Sequence, residues 1–113
     1  MKANNVGDLL KQATRMRKDM DKVQEELKSR YVEGRAGGDL VQATVNGQQE
    51  LVKVVISPKI LGPGGDGKVD RELLEDLIVA AVSQGLEKSK ALMKDELEKV
   101  TGGGLGGMLP GLF

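Results

Sequence analysis

The spacing of apolar residues changes twice along this chain of 113 residues, and this limits the folds open to it. Between Val6 and Leu27 they recur every three or four positions, as on one face of a helix. Between Tyr31 and Ser57 they alternate with polar residues, as in half-buried strands. From Asp70 to Val100 the helical spacing returns. This order predicts an α+β fold with the element sequence α-β-β-β-α.

The first helix is expected to begin between Asn5 and Asp8, with Asn4 or Asn5 as its N-cap, and to end near Arg30. A heptad pattern with Val6 at position a sets its faces. The inward positions a and d are then occupied by Val6, Leu9, Ala13, Met16, Met20, Val23, Leu27 and Arg30.

Turn-forming residues divide the alternating region into three strands. Gly37-Gly38-Asp39 separates the first two, and Asn46-Gly47, whose residues both tolerate positive φ, separates the last two. Pro58 ends the third strand, and Asp70 is expected to cap the second helix. Because short turns join antiparallel neighbours, the predicted sheet is a three-stranded antiparallel meander.

Residues 1–100 are expected to form a single domain, followed by a flexible, Gly-rich apolar tail at 101–113. A helix of about 25 residues spans roughly 38 Å, whereas a strand of about seven residues spans roughly 23 Å. The helices must therefore overhang the sheet, and their apolar positions need a cover. A homodimer with helical arms provides one.

The amino-acid composition excludes several kinds of metal site and catalytic site. The chain contains no cysteine, histidine or tryptophan, so disulfides, thiolate or imidazole metal sites and His-dependent catalysis are closed to it. We expect no enzyme activity, cofactor, metal or small-molecule substrate. No apolar run approaches the roughly 20 residues that span a bilayer, and no signal peptide is evident, so we expect a cytoplasmic protein without a membrane partner.

Four basic residues form a line along the first helix, which we call the basic stripe: Lys11, Arg15, Lys18 and Lys22. They occupy the outward heptad positions c and f. Seventeen basic residues balance seventeen acidic ones, so attraction to a polyanion must come from such local segregation of charge. The alternative is a solvated face neutralised by ion pairs at i, i+4, namely Arg15–Asp19, Arg17–Asp21 and Lys22–Glu26.

A second motif, from Gly62 to Lys68, matches the phosphate-binding pattern G-x-x-x-x-G-K. Val69 follows it where a Ser or Thr hydroxyl would be needed for Mg²⁺, and the predicted meander is not a parallel sheet. We therefore interpret this segment as a flexible loop, with nucleotide hydrolysis as the weaker alternative.

Three blocks, taken in order after a long basic helix, carry a family resemblance: Ala36–Gly47 (AGGDLVQATVNG), Leu51–Pro58 (LVKVVISP) and Leu74–Ala81 (LEDLIVAA). The chain resembles the YbaB/EbfC family of bacterial nucleoid-associated proteins over essentially its whole length. The resemblance implies an α-β-β-β-α fold, a tweezer-like homodimer with helical arms, and DNA binding in the nucleoid without enzymatic activity.

Two functions remain open from the sequence. In the first, the basic stripe of both subunits binds the phosphates of double-stranded DNA and affects DNA organisation or gene expression. In the second, the protein is a dimeric interaction module that uses Met-containing helix faces and the apolar tail. The apolar residues of that tail are Leu105, Met108, Leu109, Leu112 and Phe113.

Overall fold

Two helices and a three-stranded sheet make up the computed structural model, which describes residues 3–61 and 70–102. The elements are α1 (Ala3–Leu27), β1 (Tyr31–Ala36), β2 (Val41–Asn46), β3 (Leu51–Ile56), a short 3₁₀ helix (Pro58–Leu61) and α2 (Arg71–Thr101). The strands lie in the order β1-β2-β3, and both neighbouring pairs are antiparallel. The predicted α-β-β-β-α meander is confirmed.

The core lies between α2 and the first two strands. Small and β-branched residues on one face of the sheet meet the apolar face of α2. The buried members are Ala36, Val41, Ala43 and Ala81, with Leu74, Leu77, Ile78 and Val82 packed against them.

Two glycines allow α2 to lie close to the sheet. A Cβ at Gly34 in β1 would collide with the backbone of Ala81 and Gly85 in α2. A Cβ at Gly85 would in turn collide with the Val45 side chain of β2. The helix and the sheet therefore touch partly through backbone atoms, which only residues without a side chain permit.

The end of α1 differs from the prediction. The helix ends at Leu27 rather than near Arg30. Gly47 in the turn after β2 donates its N–H to the carbonyl oxygens of Leu27 and Arg30, at 2.9 and 2.8 Å. The Asn46 side chain donates to the Lys28 carbonyl oxygen at 3.3 Å. These tertiary hydrogen bonds satisfy the free carbonyls of the helix end, so α1 stops where the β2–β3 turn meets it.

The N-terminal prediction for α1 was also wrong. The helix already includes Ala3, so Asn4 and Asn5 lie inside it rather than at its N-cap. Arg30, which the heptad placed on the inward face, is exposed and lies beyond the helix.

The second turn also differs in its backbone from the prediction. Gly37 and Gly38 adopt positive φ in the β1–β2 turn, but in the β2–β3 turn the positive φ belongs to Gln49, at 63°. Gly47 is needed for another reason, because a Cβ there would collide with Leu27.

The start of α2 agrees with the prediction that Asp70 caps this helix. Its side chain accepts a hydrogen bond from the Leu73 N–H at 3.1 Å, as an N-cap does. Gly102 ends the helix in the left-handed conformation. The predicted Gly62–Lys68 loop and nearly all of the predicted tail lie outside the described residues. Within the described ranges, no helix is both long and apolar enough to cross a bilayer.

Candidate nucleic-acid interface

The basic stripe lies on an exposed face of α1. Its four residues, Lys11, Arg15, Lys18 and Lys22, are all solvent-exposed. The first three border the same surface depression, together with Leu10 and Thr14. Successive members lie one helical turn apart, about 5–6 Å between Cβ atoms, so the stripe presents a row of cations along the helix.

No member of the stripe forms an ion pair with another described residue. The ion pairs found within 6–61 and 70–102 involve other basic side chains: Lys28, Arg30, Arg35, Arg71 and Lys99. The intrahelical pairs Arg15–Asp19, Arg17–Asp21 and Lys22–Glu26 are therefore not formed in this part of the chain. The four charges of the stripe are left available to an external anion.

The stripe is held on an arm whose base is fixed to α2. Arg30, just after α1, pairs with Glu96 of α2 at 3.7 Å, and Lys99 pairs with the same carboxylate at 2.8 Å. The hydrogen bond from the Lys99 side chain holds the pKa of Glu96 below its ordinary value, and the positive charges of Lys99 and Arg30 act in the same direction against the effect of burial. A charged Glu96 therefore joins α2 to the residue segment that directly follows α1.

The β2–β3 turn fixes the same end of α1 by a second route. The Gln48 side chain donates to the Gln24 carbonyl oxygen in α1 at 2.6 Å. On its other side the turn binds Ser89 of α2, whose hydroxyl donates to the Asn46 carbonyl oxygen. The arm thus leaves the body of the molecule in a direction set by one turn.

The two edges of the sheet differ. At the β1 edge, the Arg35 N–H donates to the Gln84 side chain of α2 at 2.8 Å, and Lys88 of α2 donates to the Glu33 carbonyl oxygen at 2.9 Å. At the β3 edge, all six residues are exposed, and five of them are apolar: Leu51, Val52, Val54, Val55 and Ile56. Such a row of apolar side chains on an edge strand is typical of a surface that pairs with another chain.

Comparison with known proteins matches residues 1–105 to the model of the YbaB/EbfC DNA-binding family. The chain belongs to the YbaB/EbfC DNA-binding family. The resemblance seen in the sequence blocks is thereby confirmed.

Relatives of this YbaB/EbfC family member are named nucleoid-associated proteins. The one from Acetivibrio thermocellus is 43% identical over 109 residues, covering 96% of this chain and 90% of that protein. The one from Streptomyces avermitilis is 45% identical over 108 residues, with 96% and 91% covered. The one from Pelotomaculum thermopropionicum is 38% identical over 113 residues and covers both chains fully.

A crystal structure of an uncharacterized protein from Helicobacter pylori shares the fold. It superposes with a TM-score of 0.63 at 24% identity, covering 84% of this chain and 91% of that one. At this sequence identity, the similarity supports a shared fold and nothing further.

Two features of this protein's surface were not predicted from the sequence. The prediction for β3 was a half-buried strand, whereas the structure leaves both its faces exposed. The signal was present, because Val52, Val54, Val55 and Ile56 place apolar residues on both faces of a strand. The prediction also missed the capping of the β1 edge by Gln84 and Lys88, which no local pattern indicates.

Proposed function

We propose that this protein is a homodimeric nucleoid-associated protein that binds duplex DNA mainly through phosphate contacts from Lys11, Arg15, Lys18 and Lys22, and so affects DNA organisation or gene expression. The observation that carries this proposal is the exposed row of cations on α1, which has no carboxylate partner within the described residues. The family match and the names of the relatives support DNA as the partner.

The electrostatics of the stripe favour a polyanion. Lys11 with Arg15, and Lys18 with Lys22, are like-charge neighbours at i, i+4, a spacing at which like charges repel slightly. A row of phosphates removes this repulsion and releases condensed counterions, which drives binding. Since the formal net charge is zero, attraction depends on the stripe rather than on the whole protein.

Duplex DNA fits the surface better than a single strand. Binding proteins for single strands stack the bases on aromatic side chains. This chain has one Tyr and one Phe, which cannot make a stacking platform along a groove. Contacts to the phosphates alone carry no sequence information, so we expect similar affinity for unrelated duplexes.

A dimer through β3 supports this mode of binding by presenting two arms. The β1 edge is already hydrogen-bonded to Gln84 and Lys88, so β3 is the edge left for a second chain. The apolar side chains of β3 would be covered there, and a two-fold axis makes the same patch serve both partners.

The exposed apolar side chains of β3 form the face that we assign to self-association.

Fluorescence anisotropy tests the proposal directly. Purified protein is titrated against two labelled duplexes of unrelated sequence and one single strand of the same length. We expect comparable affinity for the duplexes and weaker binding to the single strand. Absence of binding to any of the three at low salt would contradict the proposal and favour the interaction module.

A further inference from the structure

The outer half of α1 exposes an apolar strip that no described residue covers. It consists of Val6, Leu9, Leu10 and Ala13, and the exposed fractions of its three large members are 62%, 63% and 65%. Their spacing of i, i+3, i+4 and i+7 places them on one helix face. Along the same face Met16 and Met20 are half-buried and Leu27 is buried, so the strip continues the packed seam outward.

The last turn of α2 ends short of this strip, against the half-buried part of α1. Arg30 after α1 pairs with Glu96 of α2. Half-burial then extends forward along α2 to Val100 and Thr101, and backward along α1 through Met20 to Met16. The two helices therefore run antiparallel at their contact, and α2 stops at Gly102 while α1 continues past it.

The chain that follows Gly102 has a suitable length and composition to cover the strip. From Met16 to Val6 the helix rises about 15 Å, whereas an extended segment as long as 103–113 reaches about 36 Å. Its glycines permit a close approach to a helix. Its apolar residues are Leu105, Met108, Leu109, Leu112 and Phe113.

We propose that residues 103–113 dock in cis on the apolar strip of α1 in the same chain. The contact buries Leu9 and Leu10 and stabilises the tip of the arm. The strip occupies heptad positions a, d and e, whereas the basic stripe occupies c and f, and the two adjoin at the depression that Leu10 shares with Lys11, Arg15 and Lys18. This inference does not depend on DNA binding.

Disulfide trapping tests the contact, and the absence of native cysteine makes the engineered pair the only one present. The pair is Leu9→Cys with Leu109→Cys, and the control is Asp8→Cys with Leu109→Cys, which places the thiol on another face of the same turn. After oxidation, we expect about fivefold more intrachain disulfide in the pair than in the control. Equal yields, or a predominantly interchain disulfide on a non-reducing gel, would overturn docking in cis.

Hydrogen exchange provides a second test that needs no cross-link. In a chain ending at Gly102, which keeps the cap of α2, we expect amides 6–16 to exchange about tenfold faster and amides 20–27 to be unchanged. A full-length chain carrying Leu105→Ser, Met108→Ser and Leu109→Ser should behave in the same way. Unchanged protection of 6–16 in the folded Ser variant would overturn the proposal.

Discussion

The Ser89 hydroxyl donates a hydrogen bond to the Asn46 carbonyl oxygen at 2.6 Å and accepts one from the Gln49 N–H at 3.0 Å, with its side chain fully buried. The Asn46 side chain binds the Lys28 carbonyl oxygen at the end of α1. One turn therefore connects α2 to the base of the arm. The direction of the arm, and with it the position of the basic stripe, depends on this contact.

Replacing Ser89 by alanine should destabilise the fold. The Ser89→Ala change leaves a buried carbonyl and a turn N–H without their partner, which costs about 1–3 kcal/mol. Denaturant unfolding followed by circular dichroism measures the decrease in stability. The control, Ser83→Ala, alters an exposed serine of the same helix and should stay within about 0.5 kcal/mol of the parent. Equal stability of the two variants would show that the buried contact contributes nothing.

Glycine-to-alanine changes should have opposite effects at two positions. Gly34→Ala inserts a methyl group into the backbone of α2 and should cost about 3 kcal/mol, because the helix and the sheet must separate. Gly7→Ala meets no atom within 4 Å and lies inside α1, so helix propensity should raise stability by about 0.5–1 kcal/mol. Thermal unfolding of both variants checks the prediction, and a stable Gly34→Ala protein would contradict the close helix–sheet contact.

Acid should weaken the junction between the helices. Since the pKa of Glu96 is lowered in the folded state, its charge stabilises the fold above the ordinary pKa of 4.5, and this contribution is lost as the pH falls through the lowered value. Glu96→Gln should therefore lose less stability than the parent on acidification.

Unfolding free energies between pH 7 and pH 3 provide the measurement. The matched change Glu87→Gln, at an exposed residue outside the ion pairs of the described chain, should follow the parent profile. If Glu96→Gln also follows the parent profile, the ion pairs of Glu96 do not stabilise the junction between α2 and the end of α1.

Self-association should depend on β3. Leu51→Lys places a charge in the proposed dimer surface, whereas Leu73→Lys makes the same change on α2 at a residue of similar exposure, 45% against 49%. Burying an unpaired ammonium is costly, so we expect the dimer dissociation constant of Leu51→Lys to rise at least about tenfold. Leu73→Lys should keep the parent value.

Sedimentation velocity at several concentrations distinguishes these outcomes. A parent protein that remains a monomer at micromolar concentration would contradict the dimer itself. A parent dimer that Leu51→Lys does not weaken would move the interface elsewhere.

Much of the fold is visible in local sequence patterns because periodicity and caps are local properties. Asp70 has a capping side chain next to a helical pattern, so the start of α2 was predicted correctly. The end of α1 was not, because its carbonyls are satisfied by Asn46 and Gly47 from a distant turn. No pattern within α1 indicates that interaction.

The candidate site was predictable only in part. The spacing of Lys11, Arg15, Lys18 and Lys22 identifies a common helix face without any structure. The absence of ion pairs from this face in the described chain required side-chain positions, since Asp19 and Glu26 stand at pairing distance in sequence. The sequence also did not predict that α2 caps the β1 edge and leaves β3 exposed. That difference depends on tertiary hydrogen bonds of Gln84 and Lys88.

The salt dependence of duplex binding tests the central claim most directly. It is measured for the parent and for a double variant that carries both Lys18→Glu and Lys22→Glu. Arg71→Glu is the control for each single charge reversal, because it replaces one basic residue by Glu at the exposed N-terminal end of α2, away from the stripe. We expect the double variant to bind every duplex more weakly. Its slope of log affinity against log salt should be about 0.9 shallower for each phosphate that it no longer neutralises. The control should keep the parent affinity and slope. Unchanged affinity and slope in the double variant would contradict DNA binding through the basic stripe.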